Sequence, residues 1–270
     1  MVKRIETMDK TPAASGPSWD YSKHAEFYRY RPNYAPKVID MLVEYTGAKK
    51  TAGFKVADIG AGTGNLTTML LERGFDVTAV EPNDAMREIG IATTRSYNVK
   101  WAAGTGTETG LESNKYNWVT FGSSFNVIDR ELGLKESYRI TPPPPKPAYF
   151  TCMWNHRNLS DPIQKTAEDI IEQFVPDYDR GVRREDQRPF LKEHSALFRN
   201  ICFIELDFDV DRTIDEYILA WQSVKNKYWD LDTKDGQELF GKITLEMRKA
   251  LPASFKIQYT TRAWTAEKAV

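Results

Sequence analysis

Cysteine is scarce in this 270-residue chain: only Cys152 and Cys202 are present. Two thiols cannot build a disulfide framework. They fit a reducing compartment, so a cytoplasmic protein with buried, inert thiols is expected. Histidine is sparse too. His24, His156 and His194 are far apart in sequence, and no Cys-x-x-Cys pair occurs, so no metal site is indicated. No apolar run is long enough to cross a bilayer. The opening MVKRIETMDKTPAASGPSWD holds no apolar stretch of a secretory signal, and residues 1–18 read as a flexible leader. Charge of one sign is also lacking. The 37 basic and 38 acidic side chains leave a formal net charge of −1, which argues against a general nucleic-acid or membrane binder. Internal repeats are absent. What remains is the composition of an ordinary globular protein, 41% hydrophobic and 28% charged, long enough to bury a sizeable core.

Strand and helix signals alternate through residues 54–154. Phe54–Ile59 reads as a buried strand, Asn65–Arg73 as a helix closed by Gly74, Phe75–Val80 as a strand and Asp84–Ile91 as a helix. Val99–Ala102, Trp118–Phe121 and Tyr149–Met153 read as further strands, with a helix over Arg130–Ile140. This rhythm predicts βαβ units and a doubly wound α/β fold with a parallel sheet. Ahead of it, residues 19–50 read as an aromatic-rich helical cover, with a helix over Pro36–Tyr45 stopped by Gly47. Behind the core at 51–155, residues 156–200 are polar and helix-prone and read as an inserted lid. Residues 201–270 return to the sheet. Phe203–Val210 alternates apolar and acidic residues as a half-wet strand does, Ile214–Tyr228 and Gly236–Leu251 look helical, and Phe255–Trp264 looks like a last strand. The prolines at 142–145 and 147 suggest a stiff polyproline II connector.

The chemistry concentrates in VADIGAGTGN, residues 56–65. Gly60, Gly62 and Gly64 follow a strand and open a helix, which is the layout of a nucleotide-binding turn. Glu81, in VTAVEPN at the end of the next strand, can accept two hydrogen bonds from ribose hydroxyls. A glycine loop followed by an acid serves dinucleotides and S-adenosyl-L-methionine alike. The dinucleotide pattern is G-x-G-x-x-G, whereas this chain has G-x-G-x-G, with Asn65 at the place of the final glycine. Asp58 just ahead of the loop would repel a pyrophosphate and attract an ammonium group.

These stretches resemble the class I S-adenosyl-L-methionine-dependent methyltransferases. The matching segments are VADIGAGTG (56–64), VTAVEPN (77–83), AAGTGTETGL (102–111) and NWVTFGSSFNVID (117–129). YSKHAEFYRYRPNY (21–34) is similar to the N-terminal helix of small-molecule enzymes related to trans-aconitate methyltransferase. The resemblance implies a Rossmann-like, seven-stranded, mostly parallel sheet. It implies that Gly60, Ala61 and Gly62 line the methionine and ribose, with Asp58 near the amino group, Glu81 on the ribose and Pro82 beside the adenine. Thr107 and Glu108 match a loop that touches the adenine edge. Ser123 and Ser124 would stand close to the sulfonium, and Tyr21 and Arg31 would reach the methionine, Arg31 through its carboxylate. Tyr21, Tyr28, Tyr30 and Arg31 serve equally well as packing and surface residues. The chain departs from the family in Asn117, in TPPPPKP and in Asn126, which stands where a histidine often follows the fourth strand.

Methyl transfer from a sulfonium is an in-line displacement in which positioning does much of the work, and a base helps when the acceptor is a hydroxyl. His156, after the fifth strand, and His24, in the N-terminal cover, are the candidate bases; each can instead be a structural hydrogen-bonding histidine. Trp154, Phe174, Tyr217, Trp221 and Trp229 suit a small organic acceptor. Arg157, Arg180, Arg183, Arg184 and Arg188 could meet an anionic one or form a solvated face. The expected activity is methyl transfer to a small molecule, with oxygen slightly preferred over nitrogen and S-adenosyl-L-homocysteine as product. An RNA or protein methyltransferase, a NAD-dependent oxidoreductase and a non-catalytic binding subunit stay as competitors. The oligomeric state is open.

Overall fold

The computed structural model describes residues 24–178, 185–224 and 228–270. Tyr21, the 1–18 leader and Arg180, Arg183 and Arg184 lie outside the described residues.

Seven strands form one sheet in the order β3-β2-β1-β4-β5-β7-β6. β1 (Lys55–Ile59), β2 (Asp76–Val80), β3 (Lys100–Ala102), β4 (Trp118–Gly122) and β5 (Tyr149–Arg157) run parallel. β7 (Ser254–Lys268) enters antiparallel between β5 and β6 (Phe198–Thr213). The mostly parallel, doubly wound class expected from the sequence is the class observed. Central strands covered on both faces are buried along their length, and Val56–Ile59 are buried without exception, Asp58 included.

Successive strand residues point to opposite faces. Val56, Val77, Trp118 and Met153 pack under α1 (Pro36–Tyr45) and α2 (Asn65–Leu71), against Val38, Leu42, Leu66 and Leu70. Ala57, Val119, Phe150 and Cys152 pack under α4 (Arg130–Ile140) and α6 (Arg188–Glu193), against Leu134, Ile140 and Leu191. α3 (Asp84–Thr93) opens on Asn83, whose side chain accepts from the Met86 N–H.

A third apolar cluster stands apart. It joins α5 (Pro162–Phe174), α7 (Ile214–Gln222) and α8 (Lys234–Ala250) to Ile257 and Tyr259 of β7. Asp161 caps α5 ahead of Pro162, and Thr213 with Glu216 forms a capping box on α7. β5 ends at the pair Arg157–Tyr259, while β6 and β7 stay paired out to Thr213–Ser254. The hairpin therefore projects past the carboxyl end of β5 and carries this helical layer there.

Four local expectations change. The helices of this layer come from two stretches, α5 and then α7 with α8, whereas Leu191 of α6 is fully buried in the main core. Within 156–200, the described helices α5 and α6 thus pack in different clusters. Among the described residues of the aromatic N-terminal segment, Ala25–Tyr30 form a 3-10 turn rather than an α-helix. β6 is longer than its alternating core, running Phe198–Thr213 with a register shift between Arg199 and Cys202. The proline run turns, with the Lys146 N–H donating to Pro143 O, rather than extending as polyproline II.

Candidate functional site

The loop from Ile59 to Asn65 passes over the carboxyl end of the sheet. Gly60, Gly62 and Gly64 adopt φ of 66°, 58° and 87°, which other residues reach only with strain. A Cβ on Gly60 would lie 2.5 Å from Ser124 Cβ. The Gly60 and Ala61 N–H groups donate to Val80 O at 2.8 and 3.0 Å, pinning the loop to the end of β2.

Glu81 stands one residue beyond β2 and is 7% exposed. Its Oε2 accepts from the Gly62 N–H at 2.8 Å and its Oε1 from the Asn83 N–H at 3.0 Å. Burial outweighs these bonds and pushes the carboxyl up to about 7. Pro82 is buried beside it, and Arg87 Nη1 donates to Glu81 O at 2.7 Å.

Asp58 lies at the end of β1, two residues ahead of Gly60. It is fully covered beneath the loop, where Oδ2 accepts from Thr67 Oγ1 at 2.6 Å and Oδ1 from Thr120 Oγ1 at 3.0 Å. Burial pushes it up to about 6. Asp58 joins β1 to α2 and β4.

Thr107 and Glu108 lie in the loop after β3. Thr105 Oγ1 accepts from the Glu108 N–H at 3.0 Å and lies 3.2 Å from Thr107 Oγ1, while the Glu108 residue is exposed. A Cβ on Gly106 would lie 2.7 Å from Ile128 Cδ1, so this loop abuts the segment after β4. There Ser124 Oγ donates to Ile59 O at 2.7 Å. Ser123, at φ 60°, donates its N–H to Met153 O at 2.8 Å, and its Oγ lies 2.9 Å from Tyr34 Oη. Asn126 Oδ1 accepts from Trp154 Nε1 at 2.8 Å.

The N-terminal segment crosses this edge. The 3-10 turn packs on α7 and touches α3. His24 Nδ1 donates to Gln222 O at 2.7 Å. Arg31 donates to Ser223 Oγ and O at 2.8 and 2.7 Å and lies 4.0 Å over the Tyr28 ring. Arg31 is thus engaged with α7's end. Asn155 Nδ2 donates to Pro32 O and Asn33 O at 3.1 and 3.0 Å, while its Oδ1 accepts from Thr261 Oγ1 at 2.6 Å. His156 is half-buried on β5, opposite Thr260. His194 lies away on α6's end, with Nδ1 2.9 Å from Phe190 O. Sequence reasoning missed Tyr34, although it lies inside the quoted YSKHAEFYRYRPNY; an aromatic held between Pro32 and Pro36 was the available signal.

The loops after β1, β2, β3 and β4 therefore converge on one cleft edge, with a buried acid facing a glycine backbone. Residues 56–143, about a third of the chain, match the family model described as methyltransferase domain. An uncharacterized methyltransferase of Mycobacterium bovis is 33% identical over 132 residues, 49% of this chain and 50% of that protein. The chain thus spans about half the length of the curated relatives it matches. Among solved structures, Haemonchus contortus phosphoethanolamine N-methyltransferase 2, in complex with phosphomonomethylethanolamine and S-adenosylhomocysteine, aligns with a TM-score of 0.55 at 14% identity, over 95% of this chain and 61% of that one. The YcgJ protein of Bacillus subtilis aligns with a TM-score of 0.53 at 13% identity, over 86% and 97%. These structural likenesses speak for the fold. No described helix is long and apolar enough to cross a membrane, and among the described residues no cluster of His, Cys, Asp and Glu could hold a metal ion.

Proposed function

We propose that the chain is an S-adenosyl-L-methionine-dependent methyltransferase acting on a small organic acceptor. The observation that carries this is Glu81 on the Gly62 N–H, at the head of a sheet whose last strands run β5-β7-β6 with β7 antiparallel. A dinucleotide fold of the doubly wound kind has the order 3-2-1-4-5-6 instead. The donor set fits the cofactor: glycine backbone without Cβ for close approach, and a carboxylate for a ribose diol.

Gly60, Ala61 and Gly62 would cradle the cofactor, Glu81 would accept from its ribose, and Pro82, Thr107 and Glu108 would border its base. Ser123 would stand near the methionine. The cofactor supplies an already activated methyl group. The chain's task is to hold donor and acceptor in line and to keep water out. His156, at the cleft end of β5, is the candidate base, with His24 second because its Nδ1 is already spent on Gln222 O. Oxygen is the favoured acceptor atom.

Isothermal titration with S-adenosylhomocysteine, alongside NAD and NADP, tests the cofactor. Micromolar binding of the first alone is expected; dinucleotide binding would sink the proposal. His156→Ala should keep S-adenosylhomocysteine affinity and lose transfer of labelled methyl to acceptors that the wild type methylates. Survival of that transfer removes His156 as base.

A further inference from the structure

Tyr34 has no role in the cofactor contacts above, yet its hydroxyl reaches the same strand end. The residue is 7% exposed and packs in the core cluster under α1 and α2. Its oxygen lies 2.9 Å from Ser123 Oγ and 2.9 Å from where a Cβ on Gly122 would stand. Leu66, in the first turn of α2, would be 3.1 Å from that same Cβ. The hydroxyl is thus wedged between the end of β4 and the helix that the glycine loop opens.

Ser123 is a non-glycine residue at φ 60°. Such backbone is strained and persists only where the surroundings dictate it. Two bonds dictate it here: the Ser123 N–H to Met153 O, and the side chain to Tyr34. The next residue, Ser124, buttresses Gly60. Tyr34 is itself fixed by its neighbours in the chain. The Ala35 N–H donates to Thr261 Oγ1 at 2.9 Å, and Asn33 O accepts from Asn155. Burial raises the phenol well above its ordinary range, so it stays protonated.

We propose, on the basis of the cofactor assignment above, that Tyr34 is a positioning residue for the amino-acid arm of that cofactor. Its hydroxyl fixes Ser123, and through it the left-handed turn at the end of β4 that backs Gly60. The N-terminal segment, clamped by Asn155 and Thr261, thereby sets the part of the cleft nearest the methionine.

The test is titration of wild type, Tyr34→Phe, Ser123→Gly and the double variant with two ligands. One is S-adenosylhomocysteine; the other is 5′-methylthioadenosine, which lacks the amino-acid arm. Glycine accepts positive φ freely, so Ser123→Gly removes the hydroxyl without straining the backbone and keeps the fold even if Tyr34→Phe does not. Each single variant should lose about tenfold in S-adenosylhomocysteine affinity, the double should lose no more than either, and 5′-methylthioadenosine affinity should stand. Unchanged S-adenosylhomocysteine affinity in Ser123→Gly, additive losses, or an equal loss for both ligands overturns the role of Tyr34. Failure of the wild type to bind S-adenosylhomocysteine overturns the cofactor assignment instead.

Discussion

Glu81 Oε2 accepts a hydrogen bond from the backbone N–H of Gly62, 2.8 Å away, so the acid after β2 and the loop after β1 are set by one another. Burial has raised that acid from 4.5 to about 7. Ionised, it accepts from the loop and from a ribose diol; protonated, one acceptor becomes a donor. S-adenosylhomocysteine affinity should therefore be full above about pH 7 and fall as pH drops through it. Titrations between roughly pH 6 and pH 8.5 check this, and a flat profile removes Glu81 from the contact.

The same shift acts oppositely on the ligand-free fold. With its folded value raised, Glu81 favours folding below the ordinary 4.5, and that contribution is lost as pH rises through about 7. Glu81→Ala should flatten this part of the stability profile while weakening S-adenosylhomocysteine binding by about 1.5–3 kcal/mol. Urea unfolding between roughly pH 4 and pH 8 gives the first quantity and calorimetry the second.

Gly60→Ala meets two obstacles, a φ of 66° and a Cβ 2.5 Å from Ser124 Cβ. It should cost about 1–3 kcal/mol in unfolding free energy and abolish measurable cofactor binding. Adding Ser124→Gly should restore part of the stability, because it clears the collision but leaves the strained backbone. A double variant no better than the single one would show that the collision is relieved some other way.

What the sequence made legible follows from the range of each signal. β1, the glycine loop, α2, β2 and Glu81 lie within thirty or so residues and carry local signatures, namely an apolar run, a turn that needs glycine and a helical period. Tyr34 meeting Ser123 depends on packing between segments 89 residues apart, which periodicity cannot report. The Asp58 bonds to Thr67 and Thr120 likewise join segments that periodicity does not pair, β1 to α2 and β4. The shared layer of α5, α7 and α8 was hidden for the same reason: each helix shows an apolar face, and nothing in the face names its partner.

Arg157 ties β5 to that layer. Its Nη1 lies 3.5 Å from Glu168 Oε2, its guanidinium 3.7 Å from the Trp221 ring centroid, and its Nη2 donates to Tyr178 Oη at 3.1 Å. Removing either charge of a buried pair leaves the other uncompensated, so Arg157→Ala or Glu168→Ala should each cost about 3–5 kcal/mol in urea unfolding. Arg157→Lys should rescue little, since an ammonium cannot stack on Trp221 and bond Tyr178 at once. Full rescue by lysine would show that charge alone matters there.

Thr213 and Ser254 face one another as the last pair of the β6–β7 hairpin, and the Ile214 N–H donates to Ala253 O at 3.0 Å. Residues 214–253 therefore leave the sheet and return to it through a single doorway. The strands that lead to Gly60 and Glu81, β1 and β2, pair with none of the residues hung in that doorway. The sheet's ladder, from β3 to β6, closes without a residue of that insert.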